Sequence, residues 1–135
     1  MDEWLVREVW RRAGDACEYC RIPQRLYPAQ FEIDHITARK HGGRSVFGNL
    51  ALACLHCNGH KGPNIAGIDP KTHRLSALFN PRRHKWARHF RWTGAHLVGR
   101  TSIGRTTIEV LNINGEYLLA LRQALLLEGR FPPRG

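Results

Sequence analysis

The sequence lacks three features, and each absence narrows what the protein can be. No apolar run is long enough to cross a bilayer, since the longest, YLLALRQALLL, is interrupted by Arg122 and Gln123. There is no early apolar segment of the kind found in secretory signals, because MDEWLVREVWRR is amphipathic and carries charges of both signs. Acidic residues are scarce, with 11 Asp and Glu against 21 Lys and Arg. We therefore expect a cytoplasmic protein without a membrane partner.

The excess of basic residues points to a polyanionic partner. The formal charge is +10 and the isoelectric point is near 10.3. Neutralising phosphates releases counterions, so a basic surface gains affinity for nucleic acid whatever the base sequence. Charge alone does not separate a nuclease from a ribosomal or membrane-surface protein.

At 135 residues, the chain is long enough for one domain, or for a core with an added segment. The composition changes after Gly62, where prolines become frequent and periodic runs become few. We therefore predict a core over residues 1–62 and an extension over residues 63–135 that packs on it. No internal repeat or low-complexity tract is found.

The predicted core begins with a helix. Asp2 is in place to cap a helix that runs to about Arg12 and stops at Gly14. FEIDHI, residues 31–36, alternates in the manner of a short strand, and a basic, turn-rich loop follows it. NLALACLHCNGHKG, residues 49–62, predicts a helical start, a knuckle and a short helix.

The extension is predicted to begin as an arm wrapped on the core, over residues 63–86. Residues 90–92 and 96–98 predict a hairpin through a Thr-Gly turn, and TTIEVLNI, residues 106–113, predicts another strand. NGEYLLALRQALLLEGR predicts a last helix, for which Asn114 is a candidate cap.

Four cysteines form two C-x-x-C pairs, Cys17 with Cys20 and Cys54 with Cys57. Two such pairs can surround one zinc ion as a tetrahedron with Zn–S distances of about 2.3 Å. A closed four-cysteine site is structural, because no position is left for water or substrate. The alternatives are two disulfides or merely buried thiols, but a reducing cytosol disfavours the first and paired spacing disfavours the second. We predict structural zinc.

Several short motifs lie in one order between Cys17 and Gly62: IDHI, HGG, NL and C-x-x-C-N-x-x-K-G. In that order they resemble the HNH endonuclease family. More narrowly, they resemble bacterial stand-alone members whose motif lies between two zinc-binding C-x-x-C pairs. The resemblance implies a ββα-metal core, in which a two-stranded hairpin and one helix surround a single divalent cation. With the elements above, it gives an α+β fold with an N-terminal helix and a C-terminal hairpin and helix extension.

The resemblance also implies a role for each matching position. His35 matches the general base and Asp34 the first ligand of the catalytic metal. Asn49 matches the middle Asn that braces the loop, and Asn58 matches the last motif position, also a metal ligand. The activity implied is hydrolysis of DNA phosphodiester bonds, with 5′-phosphate and 3′-hydroxyl products.

The chemistry of such a reaction suits these residue types. A neutral imidazole, whose ordinary pKa is about 6.5, can accept a proton from water. Asn58 stands where many members have His, an H-N-N variant, and hard oxygen donors favour Mg²⁺ or Mn²⁺ over zinc as the catalytic ion. Neighbouring residues on a strand point to opposite faces, so Asp34 and His35 need a bend to serve one site.

Basic residues near the motif and in the extension are candidate contacts to nucleic acid. We expect these six to contact phosphates: Arg39, Lys40, Arg44, Lys61, Arg82 and Arg83. Aromatic residues interleave with the later group, at Trp86, Phe90 and Trp92. They can stack on bases or pack the arm on the core, and we favour packing.

A second hypothesis keeps the cysteines and the charge but has no catalysis: a zinc module that binds nucleic acid or a protein partner. It gives no use to Asp34, His35 and Asn58 together, so we favour the nuclease. The choice between monomer and homodimer stays open, as does the choice between DNA and RNA.

Overall fold

The computed structural model describes residues 1–132, which form five α-helices, three single-turn 3-10 helices and three two-stranded antiparallel sheets. The α-helices are α1 (Glu3–Ala13), α2 (Leu55–Lys61), α3 (Trp86–His89), α4 (Ser102–Val110) and α5 (Glu116–Leu127). The strands are β1 (Glu32–His35), β2 (Leu50–Ala53), β3 (Ala66–Ile68), β4 (Leu75–Ala77), β5 (Phe90–Thr93) and β6 (His96–Gly99). The predicted α+β class is confirmed. Within the described residues, no helix has the length and apolar character needed to cross a bilayer.

The N-terminal helix has the predicted ends. Asp2 Oδ1 accepts a hydrogen bond from the Trp4 amide at 2.8 Å, and Gly14 stops the helix with a left-handed φ of 64°. Val9 is fully buried, and α1 packs on β2. Local sequence therefore determines this element.

The centre of the chain is a ββα unit. β1 pairs with β2, with Asp34 opposite Ala51 and His35 opposite Leu50, and α2 packs on both strands. The helical start that we predicted after residue 49 is wrong, because residues 50–53 form a wholly buried strand. A short run without polar residues has no periodicity to distinguish strand from helix, so pairing with β1 decides.

The extension contains more regular structure than we predicted. A hairpin of β3 and β4 lies within the predicted arm, and TTIEVLNI lies mostly in α4 rather than in a strand. Thr101 caps α4 by accepting from the Gly104 amide at 3.1 Å, and the Thr107 hydroxyl donates to the Ile103 carbonyl at 2.7 Å. Packing of α4 on β6 thus overrides the strand preference of its β-branched residues.

The β5–β6 hairpin and the last helix lie where the sequence predicts them. The proposed cap is wrong, since Gly115 is at the N-cap of α5. The Asn114 amide instead binds the main chain of Leu97, accepting from its N–H at 2.9 Å and donating to its carbonyl at 2.8 Å. The helix is thereby tied to β6.

One hydrophobic cluster includes residues from both sides of residue 62. Leu52 and Tyr19 come from the predicted core, and Phe79, Phe90 and Leu118 come from the extension. The division at residue 62 stays a prediction, but the two parts share this interior.

Candidate active site and metal centre

The four thiols come together at the start of α2. Their sulfur atoms all lie within 4.8 Å of one another, and all four residues are fully buried. Sγ of Cys20 and Sγ of Cys54 are 3.8 Å apart. A tetrahedral ion with Zn–S bonds of about 2.3 Å places neighbouring sulfurs about 3.8 Å apart. The cluster therefore has the geometry of a closed metal site.

The electrostatics of the cluster also favour a bound cation. Burial raises the pKa of the Cys17 thiol, but hydrogen bonds from the other three thiols outweigh this and hold that pKa well below its usual value. The hydrogen bonds of Cys20 and Cys57 with Cys17 favour their protonated forms and raise both pKa values well above the usual thiol value, and burial and the negative charge of Cys17 add to this. A divalent cation removes the repulsion between thiolates.

Asp34 is buried and already has two partners. Its Oδ2 accepts a hydrogen bond from the Tyr19 hydroxyl at 2.6 Å, and the Lys61 ammonium lies 3.2 Å from each carboxylate oxygen. Burial raises the pKa of Asp34 above that of an ordinary carboxyl group, although Lys61 and Tyr19 favour its charged form. Asp34 thus joins the first C-x-x-C pair with its intervening residues (residues 17–20, here the first knuckle), β1 and α2.

Lys61 is not the phosphate contact that we predicted. Its side chain is 1% exposed, and its ammonium donates to the carbonyls of His35 at 3.2 Å and Ile36 at 3.1 Å as well as to Asp34. A lysine with three internal acceptors and no solvent face cannot reach a substrate phosphate. It anchors the end of β1 to α2.

His35 ends β1 and points to different neighbours from Asp34. Its Nε2 lies 2.8 Å from the Ser45 hydroxyl, which also accepts a hydrogen bond from the Arg39 guanidinium at 2.9 Å. β1 runs through both Asp34 and His35, and the chain bends only at Ile36. The bend that a shared site was expected to need between the two residues is therefore absent.

Asn49 holds the two ends of the loop after His35 together. Its Oδ1 accepts from the Thr37 amide at 2.9 Å, and its Nδ2 donates to the carbonyls of Thr37 at 3.0 Å and Arg44 at 2.9 Å. Gly43 lies so close to Thr37 and Asn49 that a Cβ would clash with both. The loop is thus closely packed around this amide.

Asn58 lies on α2 beside β1. Its Nδ2 donates to Oε1 of Glu32 at 2.8 Å, and Glu32 lies two residues before Asp34, on the same strand face. Asn58 is thus held beside the exposed start of β1, whereas the Asp34 carboxylate is buried between Tyr19 and Lys61. Lys61 competes with any metal cation for Asp34.

The predicted basic contacts separate into exposed side chains and buried or partly buried ones. Arg82 is partly buried, with its side chain 17% exposed: its guanidinium pairs with Glu18 Oε1, and Glu18 Oε2 accepts from the Leu52 amide at 2.7 Å. The ion pair engages one side of the guanidinium, and the contact of Arg82 with phosphate stays a prediction. Four of the six are exposed: Arg39, Lys40, Arg44 and Arg83.

The aromatic residues of the extension pack as we favoured. Phe90 is 1% exposed, whereas Trp86 and Trp92 are half-buried, with ring centroids 5.8 Å apart. The Trp86 indole donates to the Tyr19 carbonyl at 2.8 Å. These rings therefore join the extension to the first knuckle.

Three site residues were missed from the sequence. Tyr19 gave no signal beyond its place inside the first C-x-x-C pair, and Ser45 gave none within its polar loop. Glu32 could have been found, because strand alternation places it on the same face as Asp34.

Comparison with known protein families gives one match, which covers part of the N-terminal half of the chain. The model of the HNH endonuclease family matches residues 17–64, just over a third of the chain. This range contains both cysteine pairs, the ββα unit and the loop after His35. No curated protein and no solved structure matches the chain.

Proposed function

We propose that the chain, whose residues 17–64 match the HNH endonuclease family, is a cytoplasmic endonuclease that hydrolyses DNA phosphodiester bonds with His35 as the general base. The observation that carries the proposal is the environment of this imidazole. One ring nitrogen is bound by Ser45, and the loop beside it has exposed cations but no acidic residue from residue 36 to residue 49. Such a surface attracts a phosphate and presents it to a base.

The proposal requires the His35 tautomer that carries its proton on Nε2, next to Ser45. When Nε2 carries the proton, it donates to the Ser45 oxygen, which has a second lone pair for Arg39. Nδ1 is then unprotonated and can take the proton of an attacking water. Arg39 donates to one lone pair of the serine oxygen and leaves the other lone pair for Nε2–H.

Asp34 and Asn58 are the residues that would hold a Mg²⁺ or Mn²⁺ ion. Bound there, the ion would supply positive charge for the phosphoryl oxygens and the leaving 3′-oxygen. Arg39, Lys40 and Arg44 are exposed on the loop after His35 and would bind the flanking phosphates. The cysteine cluster, in this proposal, holds a structural zinc ion.

The test is nicking of supercoiled plasmid by purified protein with Mg²⁺ or Mn²⁺ added. His35→Ala should lower the rate by about 10²–10⁴-fold, the usual contribution of a general base. His41→Ala is the matched control, because His41 is an exposed histidine in the same loop, and it should retain the rate. Unchanged nicking by His35→Ala would refute the proposal. DNA binding without nicking by the unmodified protein would favour the non-catalytic zinc module.

Ser45 is a positioning residue in this proposal, acting through His35. Ser45→Ala should lower kcat by roughly 2–13-fold, the value of one hydrogen bond of about 0.5–1.5 kcal/mol, and leave KM unchanged. Ser45→Thr restores the hydroxyl and should recover most of the rate. Steady-state kinetics on a labelled duplex would show this. A change confined to KM, or no rescue by Thr, would exclude the positioning role.

A further inference from the structure

A large cleft lies away from His35, between the end of α1, the first knuckle and the segment from His84 to Trp92. Its volume is about 1160 Å³, and its lining contains no Asp or Glu. Pockets for small molecules usually measure about 300–1,000 Å³. The size therefore suits a stretch of polymer better than a single metabolite.

The charged groups of the cleft are all basic. Its cations are Arg21, Arg25, Lys85 and Arg130. Arg130 is 3.0 Å from a carboxylate, that of Glu128. Among residues 1–132, no carboxylate lies within ion-pair distance of the other three. Three positive charges in one acid-free cleft attract phosphates.

Two half-buried indoles lie among these cations. Trp86 and Trp92 both line the cleft, with an angle of 39° between their ring planes. The Trp86 ring is held by its hydrogen bond to Tyr19, and the Arg21 guanidinium lies 5.4 Å from its centroid. Rigid aromatic faces beside cations are the elements with which proteins bind unpaired nucleic-acid strands.

We propose that this cleft, called here the Arg21–Trp86 cleft, binds an unpaired DNA strand. Its phosphates would contact Arg21, Arg25 and Lys85, and one or two of its bases would pack against the parts of the half-buried indoles that reach solvent. The inference rests on the proposed function in that the strand is part of the substrate, flanking the bond that is cut. It names a substrate class: DNA with a single-stranded segment, such as a branch or an overhang.

One residue, Tyr19, contacts both the cleft and the candidate active site. Tyr19 accepts from Trp86 with its carbonyl and donates to Asp34 with its hydroxyl. The residues that line the cleft include none from β1 or from the loop after His35, so a strand bound in the cleft would add affinity without touching His35.

The experiment measures binding of a fluorescein-labelled 20-mer of deoxythymidine by anisotropy, with no Mg²⁺ or Mn²⁺ added. Arg25→Gln/Lys85→Gln removes two exposed cleft cations, and Lys71→Gln/Arg74→Gln removes two exposed cations from the β3–β4 turn. We expect the cleft pair to raise Kd at least fivefold. It should also reduce the slope of log K against log salt by about 1.4, at about 0.7 per phosphate contact. The control pair should keep both values.

If the two double variants raise Kd equally, the effect is one of net charge and the inference is overturned. An unchanged Kd for Arg25→Gln/Lys85→Gln would also overturn it. If Arg25→Gln/Lys85→Gln weakens binding of a blunt duplex by the same factor as binding of the oligonucleotide, the preference for an unpaired strand is overturned. The plasmid assay separates this from the proposed function. If the unmodified protein nicks and the two pairs bind alike, only the cleft fails. If it never nicks but the cleft pair alone loses the oligonucleotide, only the nuclease proposal fails.

Discussion

Replacing Cys57 with Ser is expected to unfold the protein, rather than only to lower the rate of the proposed reaction. Cys57 is fully buried at the point where the first knuckle, β2 and α2 meet. Structural zinc contributes apparent free energies of about 10–16 kcal/mol, which equals or exceeds the net stability of about 5–15 kcal/mol of most domains. A serine hydroxyl is a poor zinc ligand, and three thiols with an unfilled position bind the ion far less tightly.

Circular dichroism against temperature, with zinc content measured on the same sample, tests this prediction. The unmodified protein should contain one zinc ion per chain and lose its cooperative transition after exhaustive chelation. Ala51→Ser is the matched control, because it buries one hydroxyl in neighbouring β2 without touching the thiols. An unchanged melting curve for Cys57→Ser would show that the cluster does not hold the fold together.

Features with local causes were the ones that could be predicted. The ends of α1 follow from Asp2 and Gly14, and the metal centre follows from the spacing of the cysteines. The residues that end α1 lie next to the helix in sequence. The two C-x-x-C pairs have a spacing that is typical of zinc ligands.

Features that depend on distant packing were predicted wrongly or missed. α4 contains β-branched residues that favour a strand, and it is helical because its buried side packs on β6 and β3. Arg82 was predicted to contact phosphate because it is a basic residue in the extension, but its guanidinium pairs with Glu18, 64 positions earlier in the sequence. Sequence shows which charges exist and not which of them have an internal partner.

Lys61 is the most consequential of these cases, and its replacement has the second large effect that we expect. Lys61→Met keeps most of the apolar stem but removes the ammonium from Asp34 and from two main-chain carbonyls. A buried carboxylate that loses its partner typically destabilises a protein by about 3–5 kcal/mol. Urea unfolding in the presence of zinc should show a loss of this size.

The double variant Asp34→Asn/Lys61→Met separates the charge from the packing. An amide at position 34 has no charge to leave unpaired, so the double variant should be more stable than Lys61→Met alone. Losses that simply add would mean that the ion pair contributes nothing and that Lys61 acts only through the carbonyls of His35 and Ile36.

The same variants decide whether Asp34 can hold a cation. In the native protein the ammonium and any divalent ion compete for one buried carboxylate, so Mn²⁺ should raise the melting temperature only slightly. Lys61→Met removes the competitor, and a ligand that binds only the folded state stabilises it by RT ln(1 + [L]/Kd). Mn²⁺ should therefore stabilise Lys61→Met more than the native protein and should not stabilise the double variant. An equal response in all three proteins would place the cation elsewhere and leave Asp34 as a structural anchor beneath His35.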